Sequence, residues 1–285
     1  MRFTWGDPLV HLTPIVLVVG LVAWHLEATS HESFRASRRQ RIEFGAGSLC
    51  LLVALSWPLA DLAGSTSLLA VVLQRQLLFL GAAPLLLLGT PSSVTARLTR
   101  PAPVDWAASR LARPVPAVAA TTVLLGVTAL PFSVSASGSN GAIRAATLGL
   151  VLFAGFILWL PVIERVPAVP HLRPMTKGGY LLAQSIAPTF LSFAWILALH
   201  PLYGSLHGQR AALGISPLTD QQLSGYLAKL GTFGVLWIVA YVLFTTQPEE
   251  NPLDSPTLHW VDVQRALERA DRRDRRAEVD HAPPP

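Results

Sequence analysis

Gln74, Arg75 and Gln76 interrupt VVLQRQLLFLGAAPLLLLGTP, residues 71–91, a run otherwise suited to the hydrocarbon of a bilayer. A guanidinium in such a place pairs with a carboxylate, snorkels to an interface, or holds an anion or proton. Arg75 falls about seven residues into its apolar run, so roughly 10 Å from the outer end at 1.5 Å per residue. Asp61, at the close of the preceding run, is its expected partner, with Asp7 and Asp220 as alternatives on the same side. Asp61, Gln74 and Arg75 therefore form a candidate intramembrane polar cluster.

A second candidate set is His11, His200, His207 and Asp220, which topology places on one face of the membrane. Neutral imidazole binds copper or zinc, and a carboxylate adds a further ligand. Interfacial histidines with water or backbone partners are the alternative reading. Asp220, in SPLTDQQLSG, also suits the N-terminus of the last helix, where an acid satisfies free N–H groups and complements the dipole. Gln221, Gln222 and Lys229 follow and are expected to line a polar crevice with Arg75. The soft ligands preferred by copper(I) are scarce: Cys50, Met1 and Met175, none with a near partner in sequence. Cys50 reads as a small buried apolar residue. Intramembrane carboxylate pairs, phosphate-binding glycine loops and a GxSxG pattern are missing, so an enzyme is not expected.

The elements that must position these residues are membrane helices. Hydrophobic residues make up 51% of the 285 and charged residues only 14%, against about a quarter charged in soluble domains. Apolar runs of spanning length fall at about 9–26, 42–62, 68–88, 115–130, 143–162, 179–199 and 223–246. The expected fold is all-α, a polytopic bundle of about seven transmembrane helices. Loops 27–41, 91–114 and 163–178 hold eleven Lys and Arg, whereas 63–67, 131–142 and 200–222 hold one. The positive-inside rule then puts the N-terminus outside and the C-terminus in the cytoplasm. Trp5, Trp24, Trp57, Trp106 and Trp159 are expected at the interfaces. Pro84 and Pro188 are expected to bend the third and sixth helices.

Residues 1–246 form the expected transmembrane domain, and 247–285 a charged cytoplasmic tail, partly helical or disordered. The tail carries six arginines and nine acids, so it is a poor lipid anchor. Basic residues gather in loops rather than along one amphipathic face, and nucleic acid is not an expected partner.

Two segments carry a family resemblance: LLFLGAAPLLLLGTP (77–91) and LYGSLHGQRAALGISPLTDQQLSG (202–225). With SWPLADLA (56–63), AGFILWLPVIERVP (154–167) and the seven-span layout, they resemble the CtaG-type membrane proteins of cytochrome c oxidase assembly. The resemblance implies a multi-pass protein of the bacterial plasma membrane, oxidase subunits as partners, and help with copper insertion. It also implies intramembrane histidines that this chain lacks: Val71, Arg75, Ala129, Arg144 and Leu148 stand in their places. A metal site built from them does not carry over. A membrane scaffold without a metal role, and a small-solute or ion transporter, remain as alternatives.

Overall fold

The computed structural model describes residues 8–30, 35–65, 67–167, 169, 171–203 and 214–246, with no strand among them. In chain order the helices are α1 (Pro8–Ala28), α2 (Arg38–Leu55), α3 (Leu59–Ser65) and α4 (Leu68–Gln76). A π-helical stretch, Leu77–Ala82, then joins α4 to α5 (Ala83–Gly89). There follow α6 (Ser92–Leu98), α7 (Ala102–Leu111), α8 (Pro114–Ala129), α9 (Pro131–Ser139) and α10 (Gly141–Ile163). The last are α11 (Pro174–Gln184), α12 (Ile186–Leu197) and α13 (Pro217–Thr245). The tail 247–285, Trp5, Asp7 and His207 lie outside the described residues, as does the side chain of His11.

Among the described residues, four rods are long and apolar enough to cross a membrane: Leu68–Gly89, Gly141–Ile163, Pro174–Leu197 and Pro217–Thr245. Helices α7 and α8 make a fifth if their bend of 95° is counted within one span. Leu12–Ala28 is apolar but shorter. Helix α2 opens on Arg38, Arg39, Arg41 and Glu43, capped by a reciprocal pair between Ser37 and Gln40. Large apolar side chains such as Val16, Val115, Phe190 and Ile238 are exposed on the outside of the bundle. That is the surface a hydrocarbon solvent requires.

Prolines explain where the rods break. The run expected as one span over 42–62 stops at Leu55 and restarts at Leu59, because Pro58 has no N–H to continue the helix. The Ala54 carbonyl, four residues before Pro58, instead accepts the Gln74 side-chain amide at 2.6 Å. Pro84 acts differently. The Ala83 amide bonds Leu78, five residues back, and in that register Pro84 would have to serve Phe79. It has no donor, and the Trp159 indole N–H donates to the Phe79 carbonyl at 2.9 Å. Trp159 is thus buried in the core, not at an interface as its position near a span end suggests. Pro188 follows the break at Ser185 between α11 and α12, four residues after Gln184, whose carbonyl it cannot serve.

The stretch 131–142, expected as a loop, is helical. Pro131 starts α9, while Ser133, Ser137 and Ser139 return their hydroxyls to carbonyls at Val127, Ser133 and Ala136. Asn140 then caps α10 through the amides of Ala142 and Ile143.

The core lies where α2, the π stretch, α5, α8 and α10 meet, around Phe44, Leu78, Leu86, Val151 and Leu158. Close approach depends on small residues. A Cβ on Gly155 of α10 would lie 2.7 Å from both the Phe79 Cα and the Ala83 Cβ. One on Gly89 would lie 2.6 Å from the Phe44 Cα. At the same end of the bundle, His25 of α1 stacks on Phe44 at 3.7 Å and bonds the Gly89 carbonyl at 3.1 Å.

Candidate functional site

Polar side chains gather where the N-terminal end of α4 meets α3, α8, α10 and α13, and nearly all of them serve a backbone group. Asp220, in the first turn of α13, accepts the Ser67 hydroxyl at 2.7 Å and the Leu68 amide at 2.6 Å. It therefore caps α4, a helix 153 residues earlier in sequence. Its own helix is capped by Ser216, whose hydroxyl accepts the Thr219 amide at 3.1 Å. Each carboxylate oxygen accepts one of these bonds, and Asp220 is only 3% exposed. A carboxylate beside free N–H groups at a helix start also gains from the helix dipole.

The same economy holds for the neighbours. The Gln76 amide donates to the carbonyls of Leu227 and Ala228 at 2.9 and 3.2 Å. The Gln221 carbonyl accepts the Leu202 amide at 2.7 Å. Tyr203 donates its hydroxyl to the Ala129 carbonyl at 2.6 Å and accepts the Trp195 indole at 3.0 Å. Arg144 donates to the Ala60 carbonyl. A buried polar group without a partner costs about 1–3 kcal/mol, and these contacts keep the polar side chains gathered here satisfied.

Arg75 stands apart. Among the described residues its guanidinium has no carboxylate partner, and its electrostatic neighbour is the Tyr203 hydroxyl. Asp61, expected to pair with it, acts on Arg144 instead. Arg75 and Arg144 nevertheless meet around one small void of about 20 Å³, together with Gln74, Ser137 and Thr147. Val71, Leu148, Ala63 and Val134 complete its wall, so that Val71, Arg75, Arg144 and Leu148 all border it. These are four of the five positions where the resemblance implies histidines. The fifth, Ala129, lines an adjoining larger cavity that Arg75 also borders.

Of the candidate cluster, Gln74 and Arg75 border the void with Arg144, Asp61 does not line it, and the Gln74 amide is engaged by the Ala54 carbonyl. Arg144 is the member that spacing did not select, since it lies 84 residues from the Ala60 carbonyl it bonds. Lys229, expected in a crevice with Arg75, points elsewhere. It bonds Thr189 at 2.8 Å, lies over the Phe193 and Phe233 rings, and borders a different cavity.

Of the candidate metal set, only the side chains of His200 and Asp220 lie among the described residues. His200 is exposed in the turn after α12, and Asp220 is engaged by α4. His207 and the His11 side chain lie outside the described residues. Among the described residues no three His, Cys, Asp or Glu side chains converge on a metal position. The Arg75–Arg144 void presents guanidinium, amide, hydroxyl and apolar groups. That donor set does not fit copper(I), which takes thiolate, thioether or imidazole.

A second charged cluster ties α10 to α11. Glu164 ends α10 in the left-handed region at φ 50. Its carboxylate accepts the Leu172 amide at 2.7 Å, meets His171 at 2.9 Å and pairs with Lys177 at 3.1 Å. Burial alone would push this carboxyl up, but the Leu172 amide, Lys177 and His171 together hold it below the usual range.

The chain matches no curated protein and no solved structure. A family model does match, that of the cytochrome c oxidase caa3 assembly factor, over residues 18–247. That interval holds every helix from the later part of α1 to the end of α13, including both arginines and Asp220. This chain belongs to the cytochrome c oxidase caa3 assembly factor (Caa3_CtaG) family.

Proposed function

We propose that this chain is a multi-pass protein of the bacterial plasma membrane that assists oxidase assembly by holding an oxidase membrane subunit, without passing copper through its own bundle. Family membership supplies the oxidase. The observation that carries the mode of action is the Arg75–Arg144 void, where two cations replace the metal ligands the resemblance implies. A fixed positive charge opposes a metal cation electrostatically and offers it no lone pair. The exposed apolar belt on α1, α8, α12 and α13 supplies a surface on which a hydrophobic helix of the oxidase packs.

In this reading the chain crosses the membrane seven times, N-terminus outside and C-terminus in the cytoplasm, with the basic loops inside. The bond from His25 to Gly89 supports it, because the end of α1, the start of α2 and the end of α5 share one side. The protein holds its partner and catalyses no reaction. The competing route is copper delivery through His11, His200 and His207 on the outer face. Purification of the full chain in mild detergent from its host separates the two. The expected result is co-purification of oxidase membrane subunits with substoichiometric copper. Stoichiometric copper that is lost in His200→Ala would contradict it.

A further inference from the structure

Between α4, α8, α12 and α13 lies a cavity of about 330 Å³, inside the range of small-molecule sites, about 300–1,000 Å³. Its wall is mostly apolar, with Val72, Phe79, Leu125, Leu158 and Leu191 among the residues that face it. Thr122 and Gly126 of α8 and Leu130 just past its end border it and are exposed, so it opens sideways between helices rather than toward water. Along α8 it runs from Thr121 to Leu130, about 14 Å at 1.5 Å per residue. That accommodates much of an acyl chain.

Arg75 stands in the wall of this apolar space. Around it the Gln74, Gln76, Arg144 and Tyr203 side chains each serve a carbonyl, whereas Arg75 has no carboxylate partner among the described residues. Thr121, in the same wall, has a buried hydroxyl without a hydrogen-bond partner. A guanidinium held in a low-dielectric site attracts an anion strongly, and its planar fork suits a carboxylate in bidentate geometry. Chain burial gives little discrimination, because the bilayer is as apolar as the cavity. The charged end must therefore decide what binds.

We propose that this cavity is a binding site for a single-chain carboxylate amphiphile of the fatty-acid class, its carboxylate on Arg75 and its chain against Leu125, Leu158 and Leu191. The ligand enters from the bilayer between α8 and α12. It is separate from the copper question and does not depend on how the protein acts on the oxidase.

The test uses the full chain, delipidated in detergent, with radiolabelled palmitate as the probe. Saturable palmitate binding is expected, weakened about tenfold or more in Arg75→Gln and largely retained in Arg75→Lys. Leu125→Trp, which fills the apolar part and leaves the charge, is expected to weaken it as much, and protects the test if Arg75→Gln does not fold. Hexadecanol, with the same chain and no charge, is expected to compete at least about tenfold less well. Acetate is expected not to compete. Unchanged affinity in Arg75→Gln and Leu125→Trp would overturn the proposal. So would equal competition by hexadecanol, or displacement by acetate, which would make the site one for a neutral amphiphile or a small free anion.

Discussion

Arg75 of α4 and Arg144 of α10 face the same small void, yet only Arg144 donates a hydrogen bond to the backbone, at Ala60. The two cations therefore contribute to stability with opposite sign. Removing Arg144 takes away the donor to the Ala60 carbonyl and a positive charge near Asp61, and Arg144→Leu is expected to cost about 1.5–3 kcal/mol. Removing Arg75 relieves a charge that no carboxylate balances. Arg75→Leu in delipidated protein is expected to be neutral or stabilising. Thermal unfolding of both variants in one detergent checks this; equal destabilisation would show that Arg75 has a protein partner after all.

Asp220 joins α13 to the N-terminus of α4. Asp220→Ala strands the Leu68 amide and the Ser67 hydroxyl in a buried position. A loss of about 2–3 kcal/mol is expected, from one charge-assisted bond and one cap. Asp220→Asn keeps one acceptor and is expected to fall between. If Asp220 were instead a metal ligand, both variants would lower metal content while leaving apo-protein stability unchanged.

Trp159 and Pro84 form a coupled pair although they do not need to touch. The indole satisfies the Phe79 carbonyl that Pro84 leaves without a donor. Trp159→Phe is expected to destabilise by about 1–3 kcal/mol. Combined with Pro84→Ala, which returns an N–H to that register, the same change is expected to cost less. A double-mutant cycle measures the difference directly, and strict additivity would disprove the coupling.

The Glu164 cluster carries a pH dependence. Its carboxyl lies below the usual range in the folded chain, so its contribution is complete above the ordinary carboxylate pKa. It fades as pH falls below about 4.5 and through the lower folded value. Glu164→Gln is expected to lose about 1.5–3 kcal/mol at pH 7. The variant should differ progressively less from the parent as pH drops from 5 toward 3. A constant difference across that range would place the effect in packing rather than charge.

Hydropathy made the helical class and the span cores legible in the sequence, and Pro84 and Pro188 marked two of the breaks. What it could not supply was partner choice. Asp61 and Arg75 are close in sequence, and adjacency favoured their pairing. Asp61 instead acts on Arg144, brought alongside by the packing of α9 and α10. Asp220 read as an N-cap or first-turn acid of its own helix; it lies in that first turn, while its carboxylate caps α4. Trp159 sat near a span end in the sequence but reaches inward, because a π-helical turn has exposed a carbonyl. The polar residues of α4 were conspicuous in the sequence. That Gln74 and Gln76 donate to helix carbonyls and Arg75 does not depends on contacts 20 to 152 residues apart.

The central claim is that this family member supports oxidase assembly while handling no copper of its own. Deleting the chain in its host, then measuring haem and copper per oxidase complex alongside complex abundance, tests it most directly. The expected result is fewer oxidase complexes, with those that remain carrying their full copper. Normal abundance with copper-deficient complexes would contradict the claim and restore a role in metal insertion, and unchanged abundance and metallation would remove the assembly role altogether.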